Sequence, residues 1–84
     1  MYYVYILKCN DDTLYTGWTT DIKRRLNEHN ISKKGSRYTR ARRPVKICYV
    51  EDIETKSGAM KREAQIKKLC REDKQKLVKN FETI

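Results

Sequence analysis

The stretch YTGWTTDIKRRLNEHN, residues 15–30, decides the fold because it combines a strand, a glycine turn and the start of a helix. Leu14 to Trp18 has the aromatic and β-branched content of a short strand. Residues 19–21 then supply side-chain oxygens suited to capping a helix N-terminus. The sequence therefore predicts a helix that begins near Asp21 and ends near Asn30.

The predicted helix places one arginine and the only histidine of the chain on its inward side. At 100° per residue from Ile22, Leu26 and His29 fall within about 40° of it, and Arg25 lies about 60° away. Arg24 falls on the far side. A cation and an imidazole one turn apart, just past a tyrosine-bearing turn, could converge on an anionic group.

A hairpin is predicted before this helix. Tyr2 to Lys8 is aromatic and β-branched, with Tyr3, Tyr5 and Leu7 on one face and apolar residues on the other. A turn at residues 10–12 would connect it to the strand from Leu14, so Tyr5 and Tyr15 could approach each other. The ordinary interpretation of such tyrosines is a half-buried sheet aromatic.

The second half of the chain predicts one strand and two helices. Val45 to Val50 alternates as a third strand and is followed by an acidic connector, residues 51–54. Ser57 is the expected N-cap of a helix running to about Leu69, and a break near Cys70 leads into a last helix. Its ridge would comprise Leu77, Val78 and Phe81, and its outer lysines are expected to be merely solvated.

Glu63 falls inside the apolar stripe of the first of these helices, with Ala59, Ile66 and Cys70. A carboxylate at such a position is costly unless it is paired or binds a metal. Spacing leaves two alternatives open, a metal ligand and a salt bridge to Arg25 or a nearby lysine.

The order strand, strand, helix, strand, helix, helix predicts an α+β fold with a three-stranded antiparallel sheet. Eighty-four residues without a repeat or linker indicate a single domain, residues 1–84. A core of that size predicts one sheet layer and one helix layer.

Residues 31–46 hold most of the net charge of +9, because they carry seven Lys or Arg and no acid. Gly35 and Pro44 mark this segment as a loop. A field of one sign attracts polyanions, which favours nucleic acid as the partner over a merely solvated surface. The candidate contacts to phosphates, with one stacked base on the tyrosine, are Lys33, Lys34, Arg37, Tyr38, Arg40, Arg42 and Arg43.

Cys9, Cys48 and Cys70 are odd in number, widely spaced and free of a CxxC pair. This pattern indicates reduced thiols in a cytoplasmic protein, with small buried side chains preferred over a zinc site completed by His29. No apolar run approaches the ~18 residues of a membrane span, and strand-like sequence directly after Met1 predicts no signal peptide.

As a set, these residues resemble the motifs of the GIY-YIG nuclease superfamily, in particular its small stand-alone single-domain branch. YVY at residues 3–5 stands where the first motif would be, and YTG at 15–17 stands for the second. RLNEH follows on the helix, and KREAQIKKL carries the later glutamate. The resemblance implies a three-stranded antiparallel sheet flanked by helices and a phosphodiesterase that needs one divalent metal.

The resemblance also implies roles for individual residues. Tyr5 would orient or deprotonate the attacking water, and Tyr15 would line the same pocket, with Gly17 letting the backbone pass close to the substrate. Arg25 would hold the phosphate, and His29 matches a position that assists proton transfer in some members. Glu63 would ligate the metal, Mg²⁺ or Mn²⁺ rather than zinc.

The chain departs from the superfamily pattern at Tyr3, which replaces the glycine of the first motif, and at Trp18 after Gly17. We expect no accessory DNA-binding domain. The leading hypothesis is a metal-dependent endonuclease acting on DNA, nonspecific or structure-selective, as in DNA repair. A bare domain could cleave weakly, bind branched or damaged nucleic acid, or need a protein partner for targeting. The alternatives are a nucleic-acid-binding module with a retained pocket and little turnover, and a structural protein with no nucleic-acid role.

Overall fold

The chain has the predicted α+β architecture over residues 1–82, which the computed structural model describes. A three-stranded antiparallel sheet in the order β2-β1-β3 is flanked by helices. The elements are β1 (Tyr2–Lys8), β2 (Leu14–Thr19), α1 (Ile22–Ile31), α2 (Arg37–Arg40), β3 (Lys46–Ile53), α3 (Lys56–Lys68) and α4 (Arg71–Glu82).

The central strand β1 fixes the register of the sheet. Tyr5 pairs with Gly17 of β2 and with Val50 of β3, and Leu7 pairs with Tyr15. Since side chains alternate along a strand, these cross-strand partners put Tyr5, Tyr15 and Gly17 on one face of the sheet. The hairpin turn closes through a hydrogen bond of 2.9 Å from the Cys9 N–H to the Thr13 carbonyl.

Helices cover both faces of this sheet, so the expectation of a single helix layer is wrong. On one face, Val4 and Ile6 pack in a buried cluster with Ala59 and Ile66 of α3. The other face carries the cluster of Tyr5 and Leu7, against which the partly buried Ile22 and Leu26 of α1 pack. The physical reason is the sequence of β1, which is apolar on both faces and requires cover on each.

Two element boundaries differ from the prediction because tertiary contacts override local sequence. Strand β3 continues to Ile53, so most of the predicted acidic connector lies within the sheet. Glu51 is accommodated there because it accepts hydrogen bonds from Tyr49 at 2.6 Å and from Arg62 at 3.1 Å. The basic segment, predicted as a loop, contains the single-turn helix α2.

The cap of α3 is Thr55 rather than Ser57, and its side chain accepts a hydrogen bond of 3.0 Å from the Gly58 N–H. Because α3 ends at Lys68, Cys70 lies beyond the helix and is exposed instead of completing the apolar stripe. The helix α4 begins at the predicted break, and Leu77 and Val78 pack against the core cluster of Val4 and Ile6.

The three cysteines do not form a zinc site with His29. Cys9 and Cys48 belong to core clusters on opposite faces of the sheet, and Cys70 is exposed. Within the part of the chain that the structure describes, no three His, Cys, Asp or Glu side chains are grouped to hold a metal ion. No helix among those residues is both long enough and apolar enough to cross a membrane.

Candidate active site

Tyr5 is the centre of the candidate site. Its side chain is 3% exposed and lies directly over the backbone of Gly17 on the neighbouring strand. A Cβ atom at position 17 would lie 2.6 Å from the Tyr5 hydroxyl and 2.8 Å from its Cζ. Gly17 is therefore needed for the close approach of a tyrosine ring within the protein.

His29 of α1 contacts the Tyr5 hydroxyl. The imidazole is fully buried, and its Nε2 lies 2.9 Å from the Tyr5 oxygen. Its Nδ1 lies 2.8 Å from the hydroxyl of Thr39, which is also fully buried. The backbone N–H of Ser36 lies 3.5 Å from the same Nδ1.

Thr39 is a site residue that the sequence analysis missed. It lies on α2, where Ser36 is the N-cap and accepts a hydrogen bond of 3.1 Å from the Thr39 N–H. The two hydroxyls are 2.9 Å apart. The available signal was the spacing of Ser36 and Thr39, which is that of an N-cap and its third helical residue. That spacing marks a helix start within the basic segment, although it does not reveal the contact with His29.

Burial keeps both partners of the 2.9 Å contact uncharged at neutral pH. Burial raises the pKa of Tyr5, the nearby Arg25 lowers it in part, and the resulting pKa is about 12. Burial also lowers the pKa of His29 to about 4, and the positive charge of Arg25 contributes in the same direction. The resting site is therefore a neutral phenol beside a neutral imidazole, in hydrogen-bond contact through Nε2.

Arg25 lies on the inward side of α1, as its helical phase predicts, with 25% of its side chain exposed against 58% for Arg24. Its Nη1 donates to the Glu28 carboxylate at 2.9 Å and to the Lys34 carbonyl at 2.8 Å. Both contacts fix the guanidinium at the edge of an open pocket of about 400 Å³, which Trp18 also lines.

Glu63 approaches from the other helix layer. It is 21% exposed on α3, which packs against β2, and Lys67 one turn later lies 3.0 Å from its Oε1. Of the two pairing alternatives, the lysine partner is therefore correct and the Arg25 partner is wrong. The negative charge of Glu63 contributes to the raised pKa of Tyr5, so it acts on the same hydroxyl as Arg25 does.

Tyr15 joins the buried site to the basic segment. Its ring centroid lies 5.3 Å from that of His29 and 5.8 Å from that of Tyr38, with the two tyrosine rings inclined by 26°. The Arg42 guanidinium lies 3.9 Å from the centroid of the Tyr38 ring. A base that stacks on Tyr38 at that position must therefore first displace Arg42.

The basic residues of residues 31–46 divide into structural and exposed groups. Arg43 caps the C-terminal end of α1, since it donates to the carbonyls of His29 at 2.6 Å and Glu28 at 3.2 Å. Arg42 pairs with Asp11 at 3.0 Å. Of the predicted nucleic-acid contacts, the exposed cations are Lys33, Lys34, Arg37 and Arg40.

The donor set fits a metal that takes few protein ligands. Glu63 is the acid whose charge reaches Tyr5, and the Lys67 contact engages only its Oε1. Mg²⁺ is commonly bound by one or two carboxylates together with substrate phosphates and waters. A single carboxylate is compatible with Mg²⁺ or Mn²⁺ in that mode and unsuited to a tetrahedral zinc site.

A family model described as the GIY-YIG catalytic domain matches residues 1–77. The chain belongs to the GIY-YIG family. It is 57% identical over 77 residues to a UPF0213 protein of Syntrophus aciditrophicus, covering 92% of this chain and 88% of that one. A UPF0213 protein of Haloquadratum walsbyi is 50% identical over 76 residues, with coverages of 90% and 84%.

Two solved structures have the same fold. The NMR structure of a protein from E. faecalis is 46% identical, with a TM-score of 0.64 and coverages of 99% of this chain and 88% of that one. The NMR structure of a UPF0213 protein from Bacillus halodurans is 44% identical, with a TM-score of 0.60 and coverages of 94% and 84%. The resemblance and the fold class are thus confirmed. Membership of the GIY-YIG family implies a nuclease domain with a nucleic-acid substrate, and such nucleases generally use a divalent metal.

Proposed function

We propose that this GIY-YIG protein is a metal-dependent endonuclease that hydrolyses phosphodiester bonds in DNA, in a nonspecific or structure-selective manner. The observation that carries the proposal is the Tyr5 hydroxyl, which His29 contacts at 2.9 Å while the charges of Arg25 and Glu63 act on it. A hydroxyl that is influenced by both a fixed cation and a carboxylate suits the hydrolysis of an anionic ester. We place this activity in the cytoplasm.

Arg25 is the proposed phosphate-binding group. Its guanidinium is fixed through Nη1 by Glu28 and Lys34 and borders the open pocket beside Trp18. A positioned guanidinium stabilises the negative charge that grows on the phosphate in the transition state, and it needs no reorganisation when that charge develops. Arg24 borders the same pocket, but its side chain is 58% exposed and its Nε lies 3.8 Å from the Glu28 carboxylate, so it is held less firmly than Arg25.

Tyr5 and His29 act as a pair in the proposed mechanism. With a pKa of about 12, Tyr5 is protonated at neutral pH, so it orients the attacking water by hydrogen bonding in the resting site. If the phenol gives up its proton, the Arg25 guanidinium stabilises the resulting phenolate, and the contact with Nε2 of His29 holds the oxygen in place. Tyr15 packs edge-to-face against His29, and this contact limits rotation of the imidazole ring.

Glu63 is the residue that would hold the Mg²⁺ or Mn²⁺ ion, in company with the substrate phosphate. When bound, the metal supplies Lewis-acid polarisation of the phosphate and stabilises the departing 3′ oxygen. Lys67, whose side chain is 51% exposed, keeps one oxygen of the Glu63 carboxylate oriented.

Burial of the hydroxyl favours one alternative, a nucleic-acid-binding module that retains the pocket with little turnover. Tyr5 is 3% exposed and His29 is fully buried, so a phosphate must displace neighbouring side chains to reach the hydroxyl. In this alternative the exposed cations of residues 31–46 bind the nucleic acid, and a protein partner provides targeting or activity.

The two functions are separated by incubating purified protein with end-labelled branched, single-stranded and duplex DNA, and with matched RNA. Each substrate is tested with Mg²⁺, with Mn²⁺ and with EDTA. Cleavage of DNA that needs either metal and stops in EDTA supports the endonuclease. Retarded mobility without cleavage in every metal condition supports the binding module, and neither binding nor cleavage contradicts both.

A further inference from the structure

A second basic surface lies outside the candidate active site, in a groove between α4 and the hairpin formed by β1 and β2. The groove has a volume of about 490 Å³ and is bordered by Lys8 and Leu14 on the hairpin and by Arg71 and Lys79 on α4. These cations belong neither to the basic segment 31–46 nor to the proposed catalytic set.

The face of α4 toward this groove carries charge of one sign. Arg71, Gln75, Val78 and Lys79 line the groove, and Lys74 lines the adjoining pocket. These positions follow the spacing of one helical face. The acids of the first turn, Glu72 and Asp73, do not line the groove, and Asp73 pairs with Lys76 at 3.8 Å. The helix therefore presents basic and neutral side chains to the groove.

The acid that lines the groove, Asp12, is already paired. Its carboxylate lies 3.6 Å from the Lys8 amine, and its backbone carbonyl accepts a hydrogen bond of 3.0 Å from Nη2 of Arg71. The second contact anchors the start of α4 to the hairpin turn and fixes the Arg71 guanidinium at the groove. After this pairing, Arg71, Lys74 and Lys79 remain as the excess positive charge.

The groove and the candidate active site lie on opposite faces of the sheet and approach each other at its edge strand β2. Leu14 and Arg71 also line a smaller pocket of about 190 Å³ that is bordered by Tyr38, whose ring stacks on Tyr15. From Leu14 to Gly17, under the Tyr5 ring, is three residues of strand, or about 10 Å. At about 3.4 Å per base pair, that distance corresponds to about three base pairs of duplex.

We propose that the groove of Arg71, Lys74 and Lys79 binds the phosphate backbone of duplex DNA on one side of the scissile bond. This inference rests on the proposed function and adds a position for the substrate: the duplex runs along β2, from α4 past Tyr38 to Tyr5. The excess of positive charge over paired acid is the complementarity that a phosphate backbone requires, and no sequence preference follows from it.

The test is the salt dependence of binding to a fluorescent duplex in EDTA, measured by anisotropy. The variant Lys74→Gln/Lys79→Gln is compared with Lys61→Gln/Lys76→Gln, which removes the same charge from exposed positions outside the groove. Two lost phosphate contacts flatten the log-log salt slope by about 1.8, and the control pair leaves it nearly unchanged. Thermal melts verify that each variant is folded. If the half-buried Lys74 proves necessary for folding, Lys79→Gln alone is used, and its log-log salt slope is expected to flatten by about 0.9.

The outcomes separate this inference from the proposed function. If the wild-type protein binds and cleaves DNA while Lys74→Gln/Lys79→Gln keeps its slope, the groove assignment is overturned and the endonuclease stands. Equal flattening in the control pair overturns it too, because the effect is then one of overall charge. Flattening confined to the groove variant supports the assignment, even in a protein that binds without cleaving. Failure of the wild-type protein to bind any duplex overturns the groove assignment, and the endonuclease is overturned only if branched and single-stranded DNA are not cleaved either.

Discussion

Nε2 of His29 lies 2.9 Å from the hydroxyl of Tyr5, although the two residues are 24 positions apart in the chain. The contact joins α1 to the central strand and is closed off from solvent on both sides. Its two partners are neutral because the same burial that raises one pKa lowers the other. The stability of the protein therefore depends on the protonation of one imidazole.

Stability is expected to fall as the pH drops below about 6.5, the ordinary pKa of histidine, and to keep falling toward pH 4, where folded His29 titrates. Between these values the unfolded chain binds more protons than the folded one. The loss attributable to His29 between pH 7 and pH 4.5 is about 2 kcal/mol. Urea unfolding of the wild type and His29→Gln at both pH values measures it. The prediction fails if the variant shows the same pH dependence as the wild type.

Arg25→Ala is expected to reduce DNA cleavage by about two to three orders of magnitude, because it removes a fixed donor to the transition state. Arg24→Ala, at the exposed neighbouring position, is expected to change the rate less than about twofold, as surface ion pairs contribute little. Single-turnover rates on one duplex provide the comparison. Equal losses in the two variants would assign the effect to general charge and not to the position of Arg25.

Glu63→Gln is expected to reduce cleavage by orders of magnitude and to weaken Mn²⁺ binding, with little change in stability. Lys67 is 51% exposed and lies one helical turn from Glu63, so breaking this pair costs about 0.3–0.5 kcal/mol. Lys67→Gln is the matched control, since it breaks the same pair and keeps the carboxylate. Calorimetric Mn²⁺ titrations and thermal melts of both variants distinguish the two roles. A Glu63→Gln protein destabilised by several kcal/mol with unaltered Mn²⁺ affinity would identify Glu63 as a structural residue.

Gly17→Ala is expected to displace the Tyr5 ring, because the added Cβ would lie 2.6 Å from the hydroxyl. The overpacking should cost about 1–3 kcal/mol and cleavage should be lost with it. In a Tyr5→Phe background the nearest clashing atom is absent, so the same substitution is expected to cost less. Denaturant unfolding of the four proteins of this cycle gives the coupling energy. Additive effects would show that the two side chains do not meet.

Arg43→Gln is expected to destabilise the fold and leave DNA binding largely intact. Its guanidinium donates to carbonyls at the end of α1, and losing these hydrogen bonds should cost about 1–3 kcal/mol. Arg40→Gln, at an exposed position of the same segment, should do the reverse: stability unchanged and the salt slope of duplex binding flattened by about 0.9. If Arg43→Gln flattens the salt slope of duplex binding and leaves the stability unchanged, Arg43 contacts the nucleic acid instead of supporting the fold.

The features that could be predicted from sequence are those that depend on local periodicity. The alternation of Tyr2 to Lys8 predicted the face of Tyr5, and the phase of α1 predicted that His29 is buried and Arg24 exposed. Both follow from the geometry of a single element. The placement of Tyr5, Tyr15 and Gly17 on one face then follows from the hairpin register.

The features that could not be predicted depend on contacts between distant segments. Thr39 reaches His29 because α2 folds back over α1, and nothing in its local sequence encodes that direction. Glu51 remains in a strand because Arg62 of α3 pairs with it. Arg43 became a helix cap through carbonyls that precede it by more than ten residues. In each case the partner is set by tertiary packing, which overrides the local preference.

Tyr5 lies on the strand that pairs with both neighbours of the sheet, through Gly17 and Val50. Amides in such a strand exchange with solvent through the largest unfolding events of a protein, while termini and exposed helical turns open far more often. On the timescale of substrate encounter, the backbone of Tyr5 therefore stays in place. Under the proposed function, adjustment during binding falls to peripheral groups such as Arg40 on its single helical turn, and the nucleic acid adapts to the fixed position of the Tyr5 hydroxyl.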